Sequence, residues 1–474
     1  VSASSSHAPA KFVTGSLFRH ILVMTATSSI GLVSIFLVDF ANLFYISLLG
    51  QQELAAAVGY AGTIMFFSIS ISIGIMISAI ALVSRAHGAG ERQRARKLSG
   101  SALLFVTLIM VVIAATFFPF IDITLGLLGA EGHTRAIATD FLQIVIPSMP
   151  MMGLGMGASG LLRAVGDAKR AMYVTLGAGI CAAFLDPIFI FVFDLGIEGA
   201  AYVTLIARTV TVAVGLYGVI RVHDLVALPS LGELIGDIRK LSDIALPAVL
   251  TNIATPVGNA YVTSSIAPYG DEAVAGWAVI GRLIPVAFGF IFALSGAIGP
   301  IIGQNYGAAQ YDRVRRTVTD SLFVTLVYTA LVWLIMFLMR DQIIQAFNAS
   351  GESAALLAFF INIVIASFLF NGAMFVANAA FNNLGYATFS TMLNWGKATL
   401  GTIPFVLAGS TIAGSKGVIA GQGAGAIVFG ILSIVICLRV IEKIGVTPPD
   451  EPLRPALWRA ALSAFSSSKS ANLP

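Results

Sequence analysis

"GAGERQRARK", residues 88–97, returns as "GAAQYDRVRR", residues 307–316, with Gly88 against Gly307, Arg94 against Arg313 and Arg96 against Arg315, an offset of 219 (307 − 88). Each copy is a short basic loop that follows a long apolar run. The echo extends outward on both sides. "LLGQQELAAAVGY" (48–60) parallels "PYGDEAVAGWAVI" (268–280), so Gly50 meets Gly270. "LLRAVGDA" (161–168) parallels "FNNLGYA" (381–387), so Gly166 meets Gly385. Pro187 parallels Pro404, and Gly199 parallels Gly417. Features recurring in one order at offsets between 217 (404 − 187) and 220 (270 − 50) mark a duplicated unit.

The medium for this unit follows from composition. Of 474 residues, 57% are hydrophobic and 11% charged, and the mean hydropathy is +0.92. A soluble domain carries roughly 25% charged residues, so this chain belongs in a lipid bilayer. The net charge of +4 is spread over loops, and no polar face combines bases with stacking aromatics; no nucleic-acid partner is expected. Cys181 and Cys437 lie in separate apolar runs and form neither a metal spacing nor a disulfide framework. No phosphate-binding loop, no Gly-x-Gly-x-x-Gly followed by the acid of a dinucleotide site, and no His-Glu-x-x-His or Gly-x-Ser-x-Gly pattern occurs, so neither an enzyme nor a cofactor is expected.

A membrane-crossing helix needs about 20 largely apolar residues. Runs of that kind lie near 18–49, 53–83, 98–128, 134–162, 168–194, 197–222, 239–268, 272–302, 314–346, 353–383, 387–409 and 416–443. Bases gather in alternate loops: Arg85, Arg92, Arg94, Arg96 and Lys97; then Arg163, Lys169 and Arg170; then Arg221, Arg239 and Lys240; then Arg313, Arg315 and Arg316. The positive-inside rule puts these loops and both termini in the cytoplasm, with the protein in the plasma or inner membrane. The fold expected is an all-α integral membrane protein of twelve helices in two pseudo-symmetric six-helix lobes. Residues 18–222 form the N-terminal lobe and 239–446 the C-terminal lobe. Residues 223–238 read as a cytoplasmic linker, and 1–17 and 447–474 as flexible tails. Two like-oriented bundles suit a carrier that rocks between two openings.

Charge inside such spans is functional by default. Asp39 lies in "LVSIFLVDFANLFYISLLG" (32–50), and Asp186 directly precedes Pro187. Both fall in the outer half of the N-terminal lobe. A paired, buried carboxylate can hold a proton near neutral pH or, with further oxygens, a Na⁺ ion; a structural Asp that caps backbone is the alternative. At the repeat positions the C-terminal lobe has Asn259 and Ile403, so ion coupling is expected in the N-terminal lobe alone. Arg282 and Lys397 could pair with an acid, anchor a carbonyl or bind an anionic substrate, whereas Arg208 reads as structural. Met65, Phe66, Met152, Met156, Asn259, Arg282 and Asn378 are candidates for a substrate cavity; thioethers and aromatic rings suit varied organic cations.

The residues resemble those of the MATE (multidrug and toxin extrusion) family. "GRLIPVAFGFIFALSGAIGPIIGQNYGAAQ" (281–310), "VDFANLFYISLLGQQELAAAVG" (38–59), "LLRAVGDAKRA" and "LDPIFIF" carry the likeness over nearly the whole chain. The resemblance implies antiport of H⁺ or Na⁺ against small organic, often cationic, compounds. Acids in spans 1 and 5 resemble the DinF-like branch; span 7 has only Asp243 at its start and span 10 only Glu352 at its edge. The family's Na⁺ sites include an Asn four residues before the span-5 Asp, where this chain has Ala182, while the matching span-6 Thr is present as Thr204. The reading is therefore a proton-coupled exporter with Asp39 and Asp186 as the coupling site and Asn42 and Thr204 as polar neighbours. It is expected to act as a monomer without a bound metal. A lipid-linked precursor flippase is the alternative.

Overall fold

The computed structural model describes residues 10–48 and 52–445; within them the side chains of residues 39–44, 46–48, 52 and 55 lie outside the description. The first lobe comprises α1 (Leu17–Leu48), α2 (Gln52–Gly88), α3 (Arg92–Phe117), α4 (Ile121–Leu127), α5 (Gly132–Val145), α6 (Met149–Ala164), α7 (Ala168–Pro187) and α8 (Gly196–Leu216). The second comprises α9 (Leu231–Ile266), α10 (Asp271–Gly307), α11 (Tyr311–Leu338), α12 (Arg340–Ala346), α13 (Gly351–Asn362), α14 (Phe368–Leu384), α15 (Ala387–Ala398) and α16 (Ile403–Lys443).

Several of these pieces belong to one crossing. Pro119 and Pro147 each open a short 3₁₀ turn that joins α3 to α4 and α5 to α6, because proline removes an amide donor but fits a first turn. Conversely, α16 contains two crossings. Ala413 and Gly414 leave helical geometry (Gly414 φ +60°) and reverse the chain. A methyl on Gly409 or Gly417 would overlap the other's backbone, and one on Gly425 would overlap Gly401; glycine lets the two helices pack backbone to backbone. Among the described residues, ten helical stretches are long and apolar enough to cross a membrane, one of them being Ala387–Lys443. Dividing that stretch at its reversal and adding the more polar α9 gives the twelve crossings the sequence predicts.

The duplication is visible in the backbone. Gly166 and Gly385 both take positive φ (88° and 91°) where one helix ends before the next. After α2, Gly90 has φ +78°; after α10, Ala309 occupies the same place in the repeat at φ +56°. The amides of Glu91 and Gln310 bond back to Ala86 and Asn305 at 3.0 and 2.8 Å, closing identical helix ends.

The lobes meet through α1 on α10 and α2 on α9 and α10. On the face that carries the basic loops the contact is tight and itself obeys the repeat. Arg85 Nε donates to the Asn383 carbonyl at 2.7 Å, and Gln304 Nε2 donates to the Ala164 carbonyl at 2.8 Å. Residues 85 and 304, and 164 and 383, are repeat mates (304 − 85 = 383 − 164 = 219). A methyl on Gly88 would strike Gln304, and one on Gly307 would strike Arg85. Toward the opposite face, Gly59, Gly62 and Gly281 have nothing within 4 Å of a Cβ position, and the mid-helix polar residues Thr255, Asn259 and Arg282 are exposed. Polar side chains at that depth mark a water-filled cleft rather than lipid.

Two boundaries differ from the sequence reading. Residues 10–16, assigned to a flexible tail, are packed: Phe12 is 1% exposed in the core of the second lobe. Its amide donates to Gln304 Oε1 at 3.0 Å, its carbonyl accepts from Arg313 at 2.8 Å, and Lys11 Nζ donates to the Gly166 carbonyl at 2.7 Å. The linker 223–238 ends at Ser230, because Ser230 and Glu233 form a capping box that starts α9 eight residues earlier than the apolar run suggests. The remaining connection docks on α3, where Asp224 pairs with Arg92 and Arg96 and the Ala227 amide donates to the Arg96 carbonyl.

Candidate functional site

In the first lobe, Pro187 closes α7, and the chain continues as a wider π turn over Ile188–Val192, with the Phe193 amide reaching back to Ile188. π turns of this sort recur at functional sites. Asp186 sits in the last turn of α7 and is 1% exposed. Its Oδ1 is buried and has no hydrogen-bond partner among the described residues. Thr204, on the adjacent α8, donates to the Ala200 carbonyl at 2.9 Å rather than to Asp186. Ala182 lies buried one turn before Asp186. Asp39 and Asn42 belong to α1, which packs on α7; their side chains lie outside the described residues, so their geometry with Asp186 is not part of the site as described.

The remaining charges sort as follows. Arg208 is structural, as expected: its Nη1 donates to the Val145 carbonyl at 3.0 Å and to Ser148 Oγ at 2.5 Å. Arg282 is exposed and has no hydrogen bond or ion pair among the described residues. Met65 is buried in the core of the first lobe, with Met152 against that core, while Phe66 is exposed and meets Phe67 edge-on. Met156 is half-buried on α6. Asn378, proposed for the cavity, is instead a buried cross-tie between α14 and α15. Its Oδ1 accepts from Asn394 Nδ2 at 3.1 Å and its carbonyl from Ser390 Oγ at 3.4 Å. Burial obliges such an amide to find partners.

The second lobe holds a cavity of about 280 Å³ between α9, α10, α14, α15 and α16. Its polar lining includes Thr255, Asn259, Asn371, Lys397, Thr402 and Gln422; its aromatic lining includes Trp277, Phe292, Phe368 and Phe375. Gln422 Nε2 donates to Asn259 Oδ1 at 3.2 Å, and Lys397 Nζ donates to Asn371 Oδ1 at 2.9 Å. No aspartate or glutamate is among the described lining residues. Sequence reasoning marked Asn259 and Lys397 but not Gln422 or Trp277, which carry no signal of their own and reach the cavity only through the packing of separate helices.

With two lobes, a cleft between them and polar sites within each, the molecule has the architecture of a membrane carrier. The MatE family model matches residues 26–188 and again 247–408. The chain belongs to the MATE family of transporters, and the doubled match coincides with the doubled sequence. It is similar to the FAD transporter of Shewanella oneidensis, 28% identical over 440 residues that cover 91% of this chain and 97% of that one. It is also similar to the multidrug export protein MepA of Staphylococcus haemolyticus, 23% identical over 86% of this chain and 90% of that one. Among solved structures, the Vibrio cholerae MATE transporter VcmN in its bent form superposes with a TM-score of 0.84 at 25% identity, covering 90% of this chain and 98% of that chain. The protein is therefore an integral membrane transporter and not an enzyme, and its class exports drugs or metabolites.

Proposed function

We propose that this chain is a proton-coupled antiporter of the DinF-like branch that exports organic compounds by alternating access. The observation that carries the proposal is Asp186, buried where α7 widens into a π turn, its Oδ1 without a hydrogen-bond partner among the described residues. An ionised carboxylate left so is costly, and a bound proton removes that cost. Asp39 is proposed as its partner across the α1–α7 contact. A proton is favoured over Na⁺ because Ala182 supplies no oxygen where an Asn would complete a cation shell.

We assign the basic face to the cytoplasm by its Lys and Arg content; on that reading both termini are cytoplasmic and the arrangement described here is outward-open. Rocking of the lobes would exchange the tight basic-face contact for a contact at the opposite face. One chain contains both lobes and both sites, so a monomer is the working unit. Organic cations are one proposed cargo, drawn to the N-terminal lobe when Asp39 and Asp186 have lost their protons. The Shewanella oneidensis relative is named for FAD, an anionic flavin nucleotide, and the lysine-bearing cavity favours anions as a second cargo.

Reconstituted protein, with pH and Na⁺ gradients imposed separately, tests the coupling. Asp186→Asn and Asp39→Asn are each expected to reduce pH-driven efflux of a fluorescent organic cation to the level of protein-free liposomes. Full export by Asp186→Asn would defeat the proposal, and export driven by Na⁺ alone would replace the proton.

A further inference from the structure

We infer that the cavity of the second lobe is a binding site for the oxyanion group of an organic anion, with Lys397 as its counter-ion. The inference rests on the export reading and adds a substrate class and a location to it. An ammonium carries three N–H donors. Asn371 Oδ1 takes one, and no other acceptor among the described residues takes the rest. The lining supplies no carboxylate to neutralise the charge. A half-buried positive charge with spare donors, facing a cavity lined by no carboxylate among the described residues, is complementary to a bound oxyanion.

The backbone fixes the lysine there. Span 11 breaks at residues 399–402, between α15 and α16, and Lys397 lies in the last turn before the break. Thr402 Oγ1 donates to the Lys397 carbonyl at 2.8 Å, pinning the residue's main chain. Broken helices in transporters line substrate sites. In the first lobe the corresponding span widens into a π turn after Asp186 and Pro187, whose repeat mate is Pro404. So each lobe departs from regular α-helix in the same crossing, near one ionisable residue, and the two residues have opposite charge. At the offset that aligns the prolines (404 − 187 = 217), Lys397 maps to Ile180; the lysine is thus particular to the second lobe and not part of the shared scaffold.

Shape agrees with charge. A volume of about 280 Å³ lies near the lower end of small-molecule sites, roughly 300–1,000 Å³. It admits a headgroup or one ring system. Phe292, Phe368 and Phe375 offer that ring an apolar wall, and the Gln422–Asn259 pair offers neutral hydrogen bonds.

Flavin mononucleotide and riboflavin form a matched fluorescent pair that differs by one phosphate. Their binding is measured by fluorescence quenching on purified full-length protein. Lys397→Gln is expected to weaken flavin mononucleotide at least tenfold and riboflavin less than twofold, whereas Lys397→Arg retains most of the phosphate preference. Gln422→Glu, nearly isosteric and without the lysine change, is expected to weaken the mononucleotide severalfold, and it decides the matter if Lys397→Gln does not fold. Equal weakening of both flavins, or unchanged mononucleotide binding in Lys397→Gln or in Gln422→Glu, overturns the inference. Competition by phosphatidic acid in the same micelles would assign the oxyanion to a lipid headgroup; competition by inorganic pyrophosphate alone would assign it to a soluble compound. Efflux of an organic cation driven by a pH gradient is followed on the same preparation. Its absence in the wild type counts against the export reading, whereas its presence beside indifference to Lys397→Gln counts against this site alone.

Discussion

Ala309 is a residue in the wrong side-chain class for its backbone. It holds φ +56° at the end of α10, where its repeat mate after α2 is Gly90 at φ +78°. A Cβ in this region costs roughly 1–2 kcal/mol, and glycine avoids the cost. Nothing lies within 4 Å of a Cβ at Gly90, so local strain rather than crowding separates the pair. Ala309→Gly is expected to raise stability by about 1 kcal/mol and Gly90→Ala to lower it by a similar amount, read from thermal unfolding in detergent. Asp39 and Asp186 illustrate what was legible at this scale. A carboxylate in an apolar run is visible in any sequence because its insertion cost is high. Asn378 shows the reverse: a polar residue in a span can serve a substrate or a neighbouring helix, and only its contacts with Asn394 and Ser390 decided between them.

Helix ends were the least legible elements. Charge and proline marked where crossings stop, yet α9 begins within the stretch expected to be a linker, because a capping box of Ser230 and Glu233 outweighs the polarity of residues 231–238. Lys97, together with Ser230, holds the Glu233 carboxyl down at about 2. The start of α7 behaves similarly. Asp167 caps the helix by accepting from the Arg170 amide at 3.1 Å, and it also meets Arg170 Nη1 at 2.6 Å and His223 Nε2 at 2.8 Å. Burial pushes its carboxyl up, but the bonds from His223 and Arg170 outweigh this and hold it below the ordinary value. A lowered carboxyl stabilises the fold above its unfolded value of about 3.9, and that contribution is lost as pH falls through the lower folded value. Asp167→Asn is therefore expected to cost about 1 kcal/mol at pH 7. Its difference from the wild type should narrow below about pH 4 in unfolding measured across pH.

At the scale of the molecule, the lobe contact on the basic face is built twice. Arg94, on α3 of the first lobe, grips Asp237 on α9 of the second. Its repeat mate Arg313, on α11 of the second lobe, grips the carbonyls of Phe12 and Thr14, just before α1 of the first. Each lobe thus clasps the segment that leads into the other lobe's first crossing. Under alternating access these bonds must break together. Weakening them is expected to shift the equilibrium away from the closed basic face. Arg313→Ala with Gln304→Ala, in a background lacking Cys181 and Cys437, should raise labelling of Ser84→Cys by an impermeant thiol reagent severalfold from the basic side. Ser84 is fully buried at the lobe contact beside Gly303, so its labelling reports opening directly.

The sequence by itself determined the medium, the number of crossings, the duplication and the membrane-embedded charges. Each of these follows from the cost of placing polar atoms in hydrocarbon, which acts on every residue wherever it ends up in the fold. The tertiary structure decided the rest. It showed that residues 10–16 pack into the lobe contact on the basic face, that the two arginine clasps are repeat mates, and that Lys397 faces a cavity together with Gln422 and Asn371. These relations join residues from separate helices, and Asn371 lies 26 positions before Lys397 while Gln422 lies on α16 beyond the break. Helix packing sets which side chains meet, and packing depends on the shapes of all the facing surfaces at once.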